Sequence, residues 1–60
     1  MEKHQEKDKA IRRADELYAA DGKHRFVIRS RDEAGEWWYY VDTDSFVRNW
    51  ETREYSTDKK

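Results

Sequence analysis

Cysteine is absent from this 60-residue chain, and no long apolar run occurs anywhere in it. Without cysteine there is no disulfide and no thiolate ligand for a metal. Without a long apolar run there is no transmembrane helix. Charge of one sign is also missing: the formal net charge is -1. No global field therefore draws in nucleic acid or an anionic membrane. Residues 1–9, MEKHQEKDK, contain no apolar core of a signal peptide. The chain reads as soluble and compatible with the cytoplasm, with no targeting signal and no membrane partner.

A chain this short buries only about 60% of the surface it exposes when unfolded. Small scaffolds normally need a staple such as a disulfide, a metal or a partner subunit. Here the staple must be tight packing or self-association. Hydrophobic residues make up 35% and charged residues 45% of the chain, and the mean hydropathy is -1.48. Those values lean toward disorder, but a 15% aromatic content argues for a core. Large rings bury much area per residue.

Ala10, Ile11, Ala14, Leu17 and Tyr18 recur at helical spacing, which predicts a helix over 3–21 with one apolar stripe. Its start has no clear N-cap and should fray. Gly22 suits the left-handed position that ends a helix. Two runs rich in β-branched and aromatic residues follow, 24–31 and 36–42, separated by Asp32-Glu33-Ala34-Gly35. That pattern predicts a hairpin. A four-residue loop sets Arg31 opposite Glu36, Ile28 opposite Tyr39, Phe26 opposite Val41 and Arg25 opposite Asp42. A one-residue slip would set Phe26 against Asp42, so the first register is preferred. Residues 46–55 read as a third strand, turning at Thr43-Asp44 to pair with its neighbour. The expected fold is α+β: one domain, 1–60, with an N-terminal helix on a three-stranded antiparallel meander sheet.

In that register one sheet face carries Phe26, Ile28, Trp37, Tyr39, Val41, Phe46 and Trp50, and should form the core. The other carries Val27, Trp38, Tyr40 and Val47, ringed by Arg29 and other charged residues. One helix covers one face, so the second needs a partner or lies bare. Val27, Trp38, Tyr40, Val47 and Arg29 are thus candidate interface residues, with a homodimer as the favoured use. Aromatics flanked by arginines also stack single-stranded bases in several modules. The near-neutral charge ranks a dimer or bare surface ahead of nucleic acid.

Motifs for chemistry are sparse. Tyr40-Val41-Asp42-Thr43-Asp44-Ser45 resembles the metal-binding hairpin of family B DNA polymerases, in which turn carboxylates hold magnesium. The likeness covers one short stretch, and Asp, Thr and Ser are ordinary turn residues. His4 and Asp8, spaced i,i+4, are too few ligands for a metal site. His24 has no companion ligand nearby. No nucleophile elbow surrounds Ser30, Ser45 or Ser56, and no phosphate-binding glycine loop occurs. No catalytic residue, metal, cofactor or small-molecule substrate is expected, and the chain does not read as an enzyme.

In style the whole chain resembles de novo designed proteins with a helix on a curved sheet. The likeness rests on the charged, capless helix with its Ala-Ile-Ala-Leu-Tyr stripe, Gly22 after it, and the Asp-Glu-Ala-Gly loop. Aromatic strands alternating with Arg, Glu and Thr add to it, as does the absence of cysteine and proline. The run Trp37-Trp38-Tyr39-Tyr40 and the Thr43-Asp44 turn depart from that style. The resemblance implies a structural scaffold with no evolved biochemical function. The alternative is a small natural binding module that uses an aromatic and arginine sheet face for protein or single-stranded nucleic acid.

Overall fold

The computed structural model describes residues 2–59. The helix α1 spans Lys7–Asp21. Ala10 and Ala14 are fully buried on its inner face. Their small side chains let the helix lie close to the sheet, with Ile11 and Leu17 filling the flanks. Glu6 stands at the N-cap without a side-chain cap bond. Gly22 ends the helix at φ 74°, and its N–H donates to the Tyr18 carbonyl at 2.7 Å. That left-handed residue captures a carbonyl the helix would otherwise leave open.

The sheet has four strands rather than three: β1 Glu2–His4, β2 Phe26–Arg31, β3 Trp37–Asp42 and β4 Thr52–Ser56. Their spatial order is β1-β3-β2-β4, with antiparallel pairing throughout. The α+β class stands; the three-stranded meander does not. The first departure is at the N-terminus. Residues 2–4 are an edge strand, not the frayed start of a helix, and Glu2 pairs with Val41. Arg13 holds this strand down, its Nε donating to both Glu2 carboxylate oxygens at 2.9 and 3.0 Å.

That edge strand explains the second departure. With β1 on its outer edge, β3 has no room for a third strand from 46–55. Residues 43–51 instead leave the sheet and cross the face carrying Ile28, Ser30 and Tyr40. The chain re-enters only at Thr52, beside β2. Ser30 donates to Glu51 at 2.5 Å and ties the crossing segment to the sheet. In β4 the pairing skips from Arg53 to Tyr55, so Glu54 is a bulge. The bulge lets Glu54 reach Lys7 at 3.1 Å, and the Tyr55 hydroxyl donates to Asp15 at 2.7 Å.

The third departure is the hairpin register. Phe26 lies opposite Asp42, Val27 opposite Val41, Arg29 opposite Tyr39 and Arg31 opposite Trp37. This is the slip that charge pairing at the strand ends argued against. The cause is the turn. Gly35, at φ 83°, donates to the Asp32 carbonyl at 3.0 Å, and Asp32 N–H donates to the Glu36 carbonyl at 2.9 Å. The loop proper is therefore Glu33-Ala34-Gly35, a type of connection that closes with glycine in the left-handed region. Shortening the loop by one residue inverts every β2 side chain. Val27 is fully buried against α1 with Val41, and Tyr39 and Tyr55 pack beside them. Phe26 and Ile28 face the other way. Trp37 and Trp50, expected in the core, are 45% and 46% exposed, and Phe46 is 69% exposed.

Candidate functional site

The helix-bearing face of the sheet is covered at the Val27–Val41 end. Toward the Arg31–Trp37 end a row of alternating cations and rings starts on this face and runs off the end of the sheet onto the crossing segment. The Arg29 guanidinium lies 4.9 Å from the Tyr39 ring and 5.3 Å from the Trp37 ring. Arg31 follows, 5.5 Å from Trp37 and 5.4 Å from Trp50. Arg48 closes the row 5.8 Å from Trp50. Strand pairing builds the first half, because Arg29 and Arg31 stand directly opposite Tyr39 and Trp37. The approach of the chain to β4 builds the second half, bringing Trp50 beside Arg31.

Each contact is worth about 0.5–1 kcal/mol at an exposed site. Their larger consequence is orientation. A guanidinium laid on a ring keeps its N–H edge free for an acceptor. Among the described residues neither Arg29 nor Arg31 has a carboxylate in ion-pair range, while Arg48 has Glu51 at 4.0 Å. Most other arginines are engaged elsewhere: Arg13 with Glu2, Arg25 with Asp21, and Arg53 with the Ser45 carbonyl.

On the opposite face the crossing segment leaves an open cleft of about 350 Å³. Ile28 and Tyr40 line it, with Asp42, Asp44 and Phe46 contributed by the end of β3 and the segment beyond. Arg31 and Arg48 line it too, so the cleft adjoins the row. Burial, with Asp32 and Glu51 nearby, pushes the Tyr40 phenol above its ordinary pKa, so it stays neutral at physiological pH. Beyond the cleft, Lys3 lies 4.3 Å over the Trp38 ring, and the Trp38 indole donates to Asp32 at 2.9 Å.

The five candidate interface residues do not share a surface. Val27 is sealed under the helix. Trp38 and Tyr40 share the opposite face, Arg29 belongs to the row, and Val47 is half-buried in the crossing segment. The apolar row argued for a homodimer is thus broken at its centre. Arg31 is among the arginines that the sequence sets around the Trp38 and Tyr40 face, whereas Trp37, Trp50 and Arg48 are not among the candidates. The register decides this: the slipped one sets both Arg29 and Arg31 against rings, whereas the expected one sets Arg29 against Trp38 but Arg31 against Glu36.

The Asp42–Ser45 stretch is not a two-strand turn. Asp42 accepts the Asp44 N–H at 3.3 Å and Asp44 accepts the Phe46 N–H at 3.0 Å, two successive side-chain turns. Among the described residues no group of three or more His, Cys, Asp or Glu could hold a metal. His4 sits in β1, not one helical turn from Asp8. His24 stacks on Tyr18 with ring centres 4.6 Å apart and meets the Thr57 hydroxyl at 3.0 Å, a structural arrangement. No described helix is long and apolar enough to cross a membrane.

Three carboxylates that shape this frame have lowered pKa values. The Arg25 guanidinium and the Lys23 N–H bring Asp21 down to about 2. The Glu36 N–H and the Trp38 indole lower Asp32, and the Ser30 hydroxyl with the Arg48 N–H lowers Glu51. In each case the folded value lies below the unfolded one. Their stabilisation is therefore complete above the unfolded values, about 4, and is lost as pH falls through the folded ones. Thermal midpoints should stay level from about pH 7 to 5 and fall from about pH 4.5 toward 2. Asp32→Asn should make that fall shallower. A midpoint that rises on acidification would contradict these bonds.

Compared with protein-family models, curated proteins and solved structures, the chain has no match.

Proposed function

We propose that the chain is a binding module that holds single-stranded nucleic acid along its arginine and aromatic row, without covalent chemistry. One observation carries this reading: two half-exposed tryptophans alternate with guanidiniums, and Arg29 and Arg31 have no carboxylate of their own among the described residues. Single strands are held by ring platforms for bases and cations that track the phosphates. The row supplies both in alternation. The net charge of -1 counted against nucleic acid when charge was averaged over the chain. Local charge is what a strand meets, and here Arg29 and Arg31 stand without a paired carboxylate among the described residues.

A ligand-free scaffold, designed or natural, accounts for the packing but gives no reason for Trp37 and Trp50 to stand half in water. A protein partner would want a contiguous apolar centre, and here guanidiniums separate the rings. A second copy docked row to row would set arginine against arginine.

Quenching of tryptophan fluorescence by a short oligothymidylate tests the reading. Three phosphate contacts on a single strand give a log–log salt slope of about -2. Trp50→Ala should leave the circular dichroism spectrum intact and weaken binding about tenfold or more, since stacking is worth about 1–3 kcal/mol per base. Absence of quenching at millimolar oligonucleotide, or a salt-independent affinity, would overturn it.

A further inference from the structure

The cleft beside the row has its own chemistry. Its volume, about 350 Å³, lies at the small end of ligand sites, which run to about 300–1,000 Å³. Its apolar part is Ile28, the Tyr40 ring and Phe46, whose own ring is 69% exposed at the rim. Its polar part is mixed, with Asp42, Asp44 and Glu51 beside Ser30, Arg31 and Arg48. Asp42 and Asp44 each accept a backbone N–H on one oxygen, which leaves the other oxygen and a second lone pair on the bonded one free to accept. Beside these two carboxylates a flat ring with an N–H edge is matched better than a phosphate. Arg31 and Arg48 line the cleft and also stack on Trp50. A strand whose phosphates follow these guanidiniums therefore passes beside the cleft.

We propose that the cleft receives one base turned out of the bound strand and selects guanine. The inference rests on the nucleic-acid reading of the row. Guanine presents two adjacent donors, its ring N–H and its exocyclic amino group, which fit the two oxygens of one carboxylate. Adenine and cytosine present an amino group beside an acceptor. Thymine and uracil present one N–H between two carbonyls, which face the carboxylates unfavourably. Phe46 covers the base from the rim, and the phosphates stay outside on Arg31 and Arg48.

The test compares oligothymidylate with the same oligomer carrying one central guanine, adenine or cytosine. The guanine oligomer should bind about tenfold tighter than oligothymidylate, the discrimination of one bidentate pair. Asp44→Asn keeps an acceptor for the Phe46 N–H, so the turn survives. It should erase the guanine preference without weakening oligothymidylate binding, and Phe46→Ala should reduce the preference severalfold. Equal affinity for all four oligomers, with oligothymidylate still bound, overturns the cleft proposal alone. Loss of binding to every oligomer overturns the row, and the cleft with it.

Discussion

Val27→Asp should abolish the folded state. Val27 is fully buried, with Val41 opposite and Ala10 and Ala14 packed in the same cluster. An aspartate there gives up the burial of a valine, about 1.5–3 kcal/mol. It also places a carboxylate where no donor awaits it, and even after neutralisation by a raised pKa the total loss is about 5 kcal/mol or more. A domain of 60 residues has only about 3–9 kcal/mol to lose. The variant should therefore lack a cooperative melting transition. The substitution also discriminates between registers. Had Val27 faced outward, as a four-residue Asp32–Gly35 loop requires, aspartate would cost within about 0.5 kcal/mol. A variant that melts within a few degrees of the wild type would restore that register and dismantle the row, because Arg29 and Arg31 would no longer oppose Tyr39 and Trp37.

Arg31→Glu should leave the fold intact and weaken oligothymidylate binding about 100-fold. Arg31 is exposed and central, in contact with both Trp37 and Trp50. Reversal of its charge removes a charge-assisted contact worth about 1.5–3 kcal/mol and sets a like charge against the strand. The salt slope should shrink in magnitude by about 0.7 for the lost contact. Arg31→Lys should fall between, since an ammonium keeps the charge but not the planar stack. Arg12→Glu makes the same charge change on an exposed helix position and should matter far less. Equal losses for Arg31→Glu and Arg12→Glu would mean that only net charge counts and that the row is not a site.

Much of this fold was legible from periodicity. The stripe from Ala10 to Tyr18 and the glycine at 22 marked the helix and its end. Alternation along β3 correctly put Trp37, Tyr39 and Val41 on the helix side and Trp38 and Tyr40 on the other. The register turns on one residue in a loop. Loops of three and four residues both fit Asp-Glu-Ala-Gly, and complementary charges at the strand ends favoured the longer. Burial of two valines and two arginine–ring pairs favoured the shorter, and it is the one adopted. β1 left no apolar signal, since Glu2, Lys3 and His4 pair through their backbone. Once β1 takes the outer edge of β3, β4 can only join beside β2, and neither step shows as a local pattern. The same slip hides the row of cations and rings. Alternation puts Trp37 on the helix side, but it does not show that the helix stops short of Trp37, nor that Trp50 lies outside a strand.

The three indole N–H signals in a proton–nitrogen correlation spectrum give the most direct test of the row. Trp37 and Trp50 belong to it, whereas the Trp38 indole is bonded to Asp32 at 2.9 Å beneath Lys3 on the other face. Titration with oligothymidylate should shift the Trp37 and Trp50 indole signals together, saturably, and leave the Trp38 signal in place. A shift of Trp38 alone, or three unmoved indoles at millimolar oligonucleotide, would contradict a nucleic-acid site on the row.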